Sequence, residues 1–415
     1  MPIVLVILIM LTISFSLQGK KVTVNISTCY DDVLFKKFIL DAFHKSHPEI
    51  EIKNVFSPSN DVQLEKIMTG LVGGKTPEMA SLDCCFAMQM VKTGQILASE
   101  DFIKRPGGPE LSDWVEATWE FSRYNGKVWA FPMDCNDIGM YYNKDAFEKK
   151  GIAQLPQTWD ELVATAQKLN DTDKGVFGLG IPFFDPWWEI CSWDWQCFLY
   201  QNGGEFLNKD LTQALFNSNE GIEALQFWVD LVHKWNVTPL QLPEQAFVRQ
   251  KVSMVVDGSW MSSDQSWGYK QPIGDSFKWG TFPFPKKKVG ATNLGGWQSV
   301  IFKSDAEREE AAWEFLQWVF QPENHVTWAY FTNDIPTTKT AIETKTYKEH
   351  LANNPQWQAF VESLSFARTR PPVKSYYEIS KNMASAIQKA LYQEMTPKEA
   401  LDAAAQLTNE LLSKE

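Results

Sequence analysis

The stretch KVTVNISTCYDDVLFKKFILDAFHKSHPEIEIKNV, Lys21 to Val55, decides the fold class. Its first seven residues, Lys21 to Ser27, alternate polar and β-branched side chains, which predicts a strand. Val33, Leu34, Phe38, Ala42 and Phe43 then recur at helical spacing through Asp31 to Ser46, and the helix ends before Pro48. Ile50 to Val55 is a second strand. Beyond it, Asp61 to Val72 is an amphipathic helix and Glu78 to Leu82 a short third strand. Strand–helix–strand–helix–strand order predicts an α/β fold with crossover connections. Ligands of such sheets gather at the carboxyl ends of the strands, which marks Tyr30 and Asp83.

The pattern continues along the chain. A Gly- and Pro-rich loop, Arg105 to Pro109, precedes a hairpin at Tyr124 to Phe131 (YNGKVWAF) and a strand at Ile138 to Tyr142. Trp159 to Leu169 is helical, with Thr158 placed to cap it. Four tryptophans crowd Pro182 to Tyr200. Helices are expected at Glu220 to Trp235 and Pro243 to Gln250, then a buried strand at Lys251 to Val256 and a surface connection at Phe282 to Lys288. Trp297 to Phe302 reads as a strand and Asp305 to Phe320 as a helix. The C-terminal stretch Tyr376 to Leu412 is helical with a break at Pro397.

At 415 residues the chain is long enough for two domains, and its 44% hydrophobic and 22% charged residues are those of a globular protein. Eighteen tryptophans are more than a core easily absorbs, because each buried indole N–H needs an acceptor; a ring-lined cleft is one outlet for them. A net charge of −12 argues against nucleic acid or anionic membrane as partners, since both require a basic face. Residues 1–19 carry no charged side chain and Ile3 to Leu17 is almost wholly apolar, as in a secretory signal with Ser14 and Ser16 near the cleavage point; a short anchor is the alternative. Export from the cytoplasm is the expectation. The six cysteines form no CxxC pair, and neither a metal nor a cofactor is expected. Free buried thiols are the expected state of these cysteines.

The segment GKVWAFPMDCNDIGMYYNKDAFEKKGIAQLPQTWDEL, Gly126 to Leu162, resembles the signature of the extracellular solute-binding protein family that includes the maltose- and maltodextrin-binding proteins. GGKTPEMASLD (Gly73 to Asp83), VSMVVDGSWM (Val252 to Met261) and GGWQSVIFKSDAEREEAAWEFLQWV (Gly295 to Val319) follow in the family's order. The resemblance implies two α/β lobes that close on a ligand in a cleft between them. One lobe is expected to comprise 20–134 plus 290–333 and the other 135–289 plus 334–415. The chain would cross between them near Pro132 to Asn136, Lys286 to Leu294 and Asn333 to Pro336. It further implies a monomeric, periplasmic receptor that captures a carbohydrate (a mono- or oligosaccharide or a polyol) and delivers it to the membrane permease of an ABC importer.

A sugar presents C–H faces to aromatic rings and hydroxyl edges to carboxylates, amides and guanidinium groups. By resemblance the indole of Gly258-Ser259-Trp260 stacks on the sugar; the alternative is a core residue behind a buried strand. Trp297, after a double glycine, is balanced between contact and core. Trp187, following Asp185-Pro186, is expected to face the ligand from a loop. Asp83 ends a strand at the cleft edge, or else caps the next helix. Asp134 and Asn136 lie on the first crossing, where the family places polar contacts. Arg370, rather than Arg368, is the arginine expected to reach hydroxyls; both could instead pair with acidic groups. Leu82 stands where maltose-binding relatives carry a stacking Trp, so a maltodextrin ligand is not implied. Two other functions compete: a polyamine receptor built on rings plus Asp83, Asp134 and Asp137, and a secreted carbohydrate-active enzyme, for which no acid–base carboxylate pair stands out.

Overall fold

A computed structural model describes residues 21–105, 109–184, 189–263 and 268–415. The expected signal segment 1–19 and the Trp187 candidate lie outside the described residues.

Two sheets organise the chain. The opening strands are β1 (Val22–Thr28), β2 (Ile50–Phe56) and β3 (Met79–Asp83). Between β1 and β2 the chain is helical over Asp32–Phe35, a π-turn at Lys36–Leu40, and Asp41–Ser46. A hairpin follows, β4 (Arg123–Tyr124) and β5 (Lys127–Val128), turning on Asn125 and Gly126, both at positive φ as a tight two-residue turn requires. The remaining strands are β6 (Phe131–Pro132), β7 (Asn136–Asn143), β8 (Phe177–Gly180), β9 (Val252–Gly258), β10 (Trp279–Phe282), β11 (Thr292–Gly295), β12 (Trp297–Ile301) and β13 (Ala367–Thr369).

The first sheet has the order β2-β1-β3-β12-β6 and the second β13-β11-β7-β9-β8, with β10 also on β7. β1 runs parallel to β2 and β3, while β12 is antiparallel to β3 and β6. The result is a periplasmic-binding-protein fold of two α/β lobes, one built on each sheet, with the cleft between them.

The helices flanking the second sheet were legible from their caps. Thr158 accepts the Glu161 N–H at the start of Trp159–Leu169, whose buried face is Trp159, Leu162, Val163, Ala166 and Leu169. The break near Pro397 is a capping box: Thr396 and Glu399 satisfy each other's backbone N–H groups at the start of Pro397–Leu412. Residues 244–250, expected as a helix, form turns instead. Gln245 and Gln250 sit at positive φ, and that left-handed conformation interrupts helical hydrogen bonding.

The chain passes between the sheets three times. Residues 133–135 join β6 to β7. The second passage is Gly296, between β11 and β12. This corrects the expected crossing at Lys286 to Leu294 and the assignment of 290–296 to the first lobe, because β11 is hydrogen-bonded into the second sheet against β7 and β13. The reason is steric: Gly296 has φ 130°, and a Cβ there would lie 2.3 Å from the Asp134 carbonyl oxygen, so only glycine permits the change of direction. The third passage follows the helix Pro322–Thr332, whose end is turned by Asn333 at φ 60°. Cys135 and Ile335 exchange both backbone hydrogen bonds, at 2.8 Å each, and tie the first passage to the third.

Candidate functional site

The carboxyl ends of β1 and β3 and the start of β12 meet at one edge of the first lobe. Trp297 lies opposite Asp83 in the β12–β3 register, and the Tyr30 ring meets Trp297 edge-on at 5.2 Å. Tyr30 is buried, with its hydroxyl 2.7 Å from Ser81 Oγ and its ring also edge-on to Trp328 and Phe331. It therefore backs the wall, whereas Trp297 is partly exposed on it.

Asp83 does cap a helix: one carboxylate oxygen accepts the Cys85 N–H at 2.9 Å at the start of Cys84–Lys92. That same oxygen lies 3.5 Å from Arg370 Nη2. Arg370 is 1% exposed and Asp83 14%, so the arginine lies beneath the cleft wall and not on it. Its Nη1 donates to Glu189 Oε1 at 2.8 Å and its Nη2 to Cys84 Sγ at 2.6 Å, and its plane lies 5.0 Å from the Trp193 ring. Glu189 is itself wholly buried and also accepts from the hydroxyls of Tyr376 and Ser380. Burial pushes the Glu189 carboxyl up, with the Arg370 guanidinium opposing it. The expectation that Arg370 reaches a ligand's hydroxyls meets a physical obstacle: its two η nitrogens are engaged and protein covers it. Arg368, two residues earlier, pairs with Glu205 at the surface.

Asp134, on the first passage, is buried and ringed by donors. Its Oδ1 accepts the Trp297 N–H at 2.8 Å and its Oδ2 the Trp328 Nε1–H at 2.9 Å. Asn136 Nδ2 donates to Asp334 Oδ1 at 3.0 Å. Burial pushes the Asp134 carboxyl up to about 7 and raises Asp334 well above the usual carboxylate range, the Asp134 charge adding to the effect on Asp334.

Trp260 stands apart from this cluster, at the end of β9 in the second lobe. Its indole stacks on Trp193 at 5.6 Å with the planes 12° apart, and so connects through Trp193 to Arg370. A Cβ on Gly258 would lie 2.0 Å from Trp260 Cζ3, so the glycine of the Gly-x-Trp motif is what lets the ring fold back over the strand end. Trp260 is partly exposed and lines a pocket of 830 Å³ drawn wholly from the second lobe, with Phe184, Phe247, Tyr269, Asp257 and Glu244 among its walls. No lysine or arginine lines it among the described residues. The Tyr269 hydroxyl donates to Asp257 at 2.6 Å and fixes that carboxylate.

Tyr30, Asp83, Asp134, Asn136, Trp297 and Arg370 thus come together at the junction of the lobes, and Trp260 lies one stacked ring away. Glu189, Trp193 and Asp334 belong to the same constellation and were not singled out from sequence. Trp193 was visible within the Trp-rich stretch; Glu189 and Asp334 carried no local signal. Among the described residues no group of His, Cys, Asp and Glu could hold a metal ion, and no helix is long and apolar enough to cross a membrane.

Binding proteins share this fold. The sequence profile of the family described as bacterial extracellular solute-binding protein matches residues 31–326. The cyclic α-maltosyl-1,6-maltose binding protein of Arthrobacter globiformis superposes with a TM-score of 0.84 at 29% identity, over 95% of this chain and 100% of that one. An ABC transporter solute-binding protein of Thermotoga lettingae bound with α-D-tagatose gives 0.79 at 26% identity, over 94% and 100%. The sn-glycerol-3-phosphate-binding periplasmic protein of Pectobacterium atrosepticum is 22% identical over 91% of this chain and 87% of its own length. With a family profile spanning both sheets and solved relatives matched end to end, the chain belongs to the bacterial extracellular solute-binding protein family.

Proposed function

We propose that this protein is the periplasmic capture component of an ABC importer and that its ligand is an uncharged carbohydrate. The observation that carries the reading is the Trp260 pocket, where rings stand beside Asp257 and Glu244 with no cation among its described walls. Rings suit sugar faces, and carboxylates suit hydroxyl edges. The sugars bound by the Arthrobacter and Thermotoga relatives support it. A phosphate-bearing ligand such as that of the Pectobacterium relative fits less well, because Arg370 is already matched by Glu189 and Asp83. In this reading Trp260 and Trp297 stack on sugar faces, and Asp83 turns its second oxygen toward the cleft. The two lobes close about the three passages. The protein acts as a monomer, performs no chemistry on the ligand, and hands it to the permease.

Calorimetry with α-linked oligosaccharides, tagatose, sn-glycerol-3-phosphate and spermidine tests this directly. Saturable binding of a sugar at about −8 kcal/mol or better, with a smaller radius of gyration in solution and no turnover of the sugar, is the expected result. Burial of Arg370 removes the repulsion that would have told against a cationic ligand, so spermidine is a genuine competitor. Binding of spermidine or of the phosphate alone would sink the carbohydrate reading.

A further inference from the structure

A short segment of the second lobe runs along the first. Beyond β13 the chain passes Pro371-Pro372 and enters the helix Tyr376–Leu391. Along this stretch one side chain after another reaches across. Arg370 Nη2 meets Cys84 Sγ at 2.6 Å and Asp83 Oδ1 at 3.5 Å, and its guanidinium stands 5.5 Å from the Phe121 ring. Lys374 Nζ lies 5.0 Å from the ring of Tyr124, in the β4–β5 hairpin. Ser375 Oγ accepts from Lys92 Nζ at 3.3 Å. The Tyr377 ring packs 5.4 Å from Phe86, and its hydroxyl donates to Asp61 Oδ1 at 3.2 Å. Cys84, Phe86 and Lys92 lie on the helix Cys84–Lys92 and Asp61 on Asn60–Val72, so two helices and a hairpin of the first lobe are gripped at once.

The same segment is anchored in its own lobe by other groups. Val373 and Tyr376 are buried, and the Tyr376 hydroxyl donates to Glu189 Oε1 at 3.0 Å and accepts from Gln196 Nε2 at 2.8 Å. The Lys374 and Ser375 N–H groups donate to the Glu415 carboxylate at 3.2 and 2.6 Å. Arg370 holds Glu189 through its other η nitrogen, so it keeps a counter-charge if it leaves Asp83. The backbone of the segment is thus fixed to the second lobe, while the crossings named above are all made by side chains. Such a face can part without unwinding a helix or breaking a strand. Nor does connectivity force it together, because the three passages of the chain lie elsewhere, at 133–135, at Gly296 and after Asn333.

We propose that Arg370 to Tyr377 is a clasp that holds the two lobes together in the absence of ligand, and that it must open for the cleft to admit one. The inference rests on the lobe-closure reading. Its consequence is a protein that captures ligand from its unclasped minority, so that each contact of the clasp trades affinity for a tighter resting state. Cys84 reports on the clasp directly. Its thiol is 3% exposed beneath Arg370, and parting of the face would uncover it, whereas Cys197, 0% exposed within the second lobe, is uncovered only by unfolding of that lobe.

The test therefore uses the ligand-free protein and a maleimide, with the labelled cysteine identified by mass spectrometry. Tyr377→Phe removes the bond to Asp61 and Lys92→Met the bond to Ser375. Each should raise the labelling rate of Cys84 about fivefold, the worth of one ordinary hydrogen bond, and the two together about twenty-fivefold, with Cys197 unchanged. The double variant should also show a larger radius of gyration by small-angle scattering. Arg368→Ala, whose partner Glu205 lies in the same lobe, should leave Cys84 at the wild-type rate. An unchanged Cys84 rate in the double variant, or equal acceleration of Cys84 and Cys197, overturns the clasp. Whether a sugar then compacts the same samples decides the lobe-closure reading separately.

Discussion

The junction of the lobes and the pocket around Trp260 use the same kinds of side chain to opposite ends. At the junction, Arg370, Glu189, Asp134, Asp334 and Asn136 are almost wholly buried and bonded to protein groups, Arg370 to Glu189 and Cys84, Asn136 to Asp334, and Asp134 to Trp297 and Trp328. Around Trp260, rings and carboxylates face an open volume of 830 Å³. A buried ion pair satisfied by protein has little left for a ligand, and its removal registers as instability. A ring stacked on one face and open on the other keeps a surface that a ligand can cover. Polar residues near a cleft are thus divided between architecture and recognition by what else they touch.

The largest expected effect tests the architectural side. Glu189→Ala leaves the Arg370 guanidinium buried without its closest carboxylate and should cost about 3–5 kcal/mol in urea unfolding. A loss under about 1 kcal/mol would mean that Asp83 replaces Glu189 as partner and that the cluster is not structural. The recognition side is tested by Trp260→Ala. Affinity for the best sugar should fall by about 2–4 kcal/mol while the melting temperature moves little. A stability loss of about 3–5 kcal/mol with unchanged affinity would move Trp260 into the core and break the contrast. Gly258→Ala sharpens it further, since the added methyl takes the place of the indole edge; a cost of about 1–3 kcal/mol and an altered indole emission are expected. The smallest effect belongs to the exposed Arg368–Glu205 pair, where Arg368→Ala should change stability by less than about 1 kcal/mol. Equal losses on removing Arg368 and Arg370 would show that burial does not separate the two arginines.

Much of the fold could be read from local patterns. β1 and β2 announce themselves by alternation, Trp159–Leu169 by period and cap, and the Asn125-Gly126 turn by residues suited to positive φ. The site was legible only in part. Tyr30, Asp83 and Trp297 were found because strand ends collect ligands, but nothing near Arg370 in sequence indicates that Glu189, 181 positions away, neutralises it. Asp334 was invisible for the same reason: its partner Asn136 lies 198 positions away. The second crossing was misplaced because the Pro- and Lys-rich stretch before Leu294 looks like a linker, whereas the point of passage is one glycine fixed by the Asp134 carbonyl. Long-range polar pairing leaves no periodicity for a sequence to display.

All six cysteines are free thiols, and five of them are buried. Burial pushes Cys84, Cys85, Cys135 and Cys197 well above the ordinary thiol range, so within the native protein they are poor nucleophiles. During synthesis the opposite holds. Members of an extracellular family complete their folding where disulfides form readily, and an unfolded chain exposes every thiol it has. Folding therefore races oxidation: any bridge closed early has to be undone before those side chains can reach their sites. Yield after export should consequently depend on how quickly both lobes consolidate, a kinetic constraint written into a protein whose six cysteines end as free thiols.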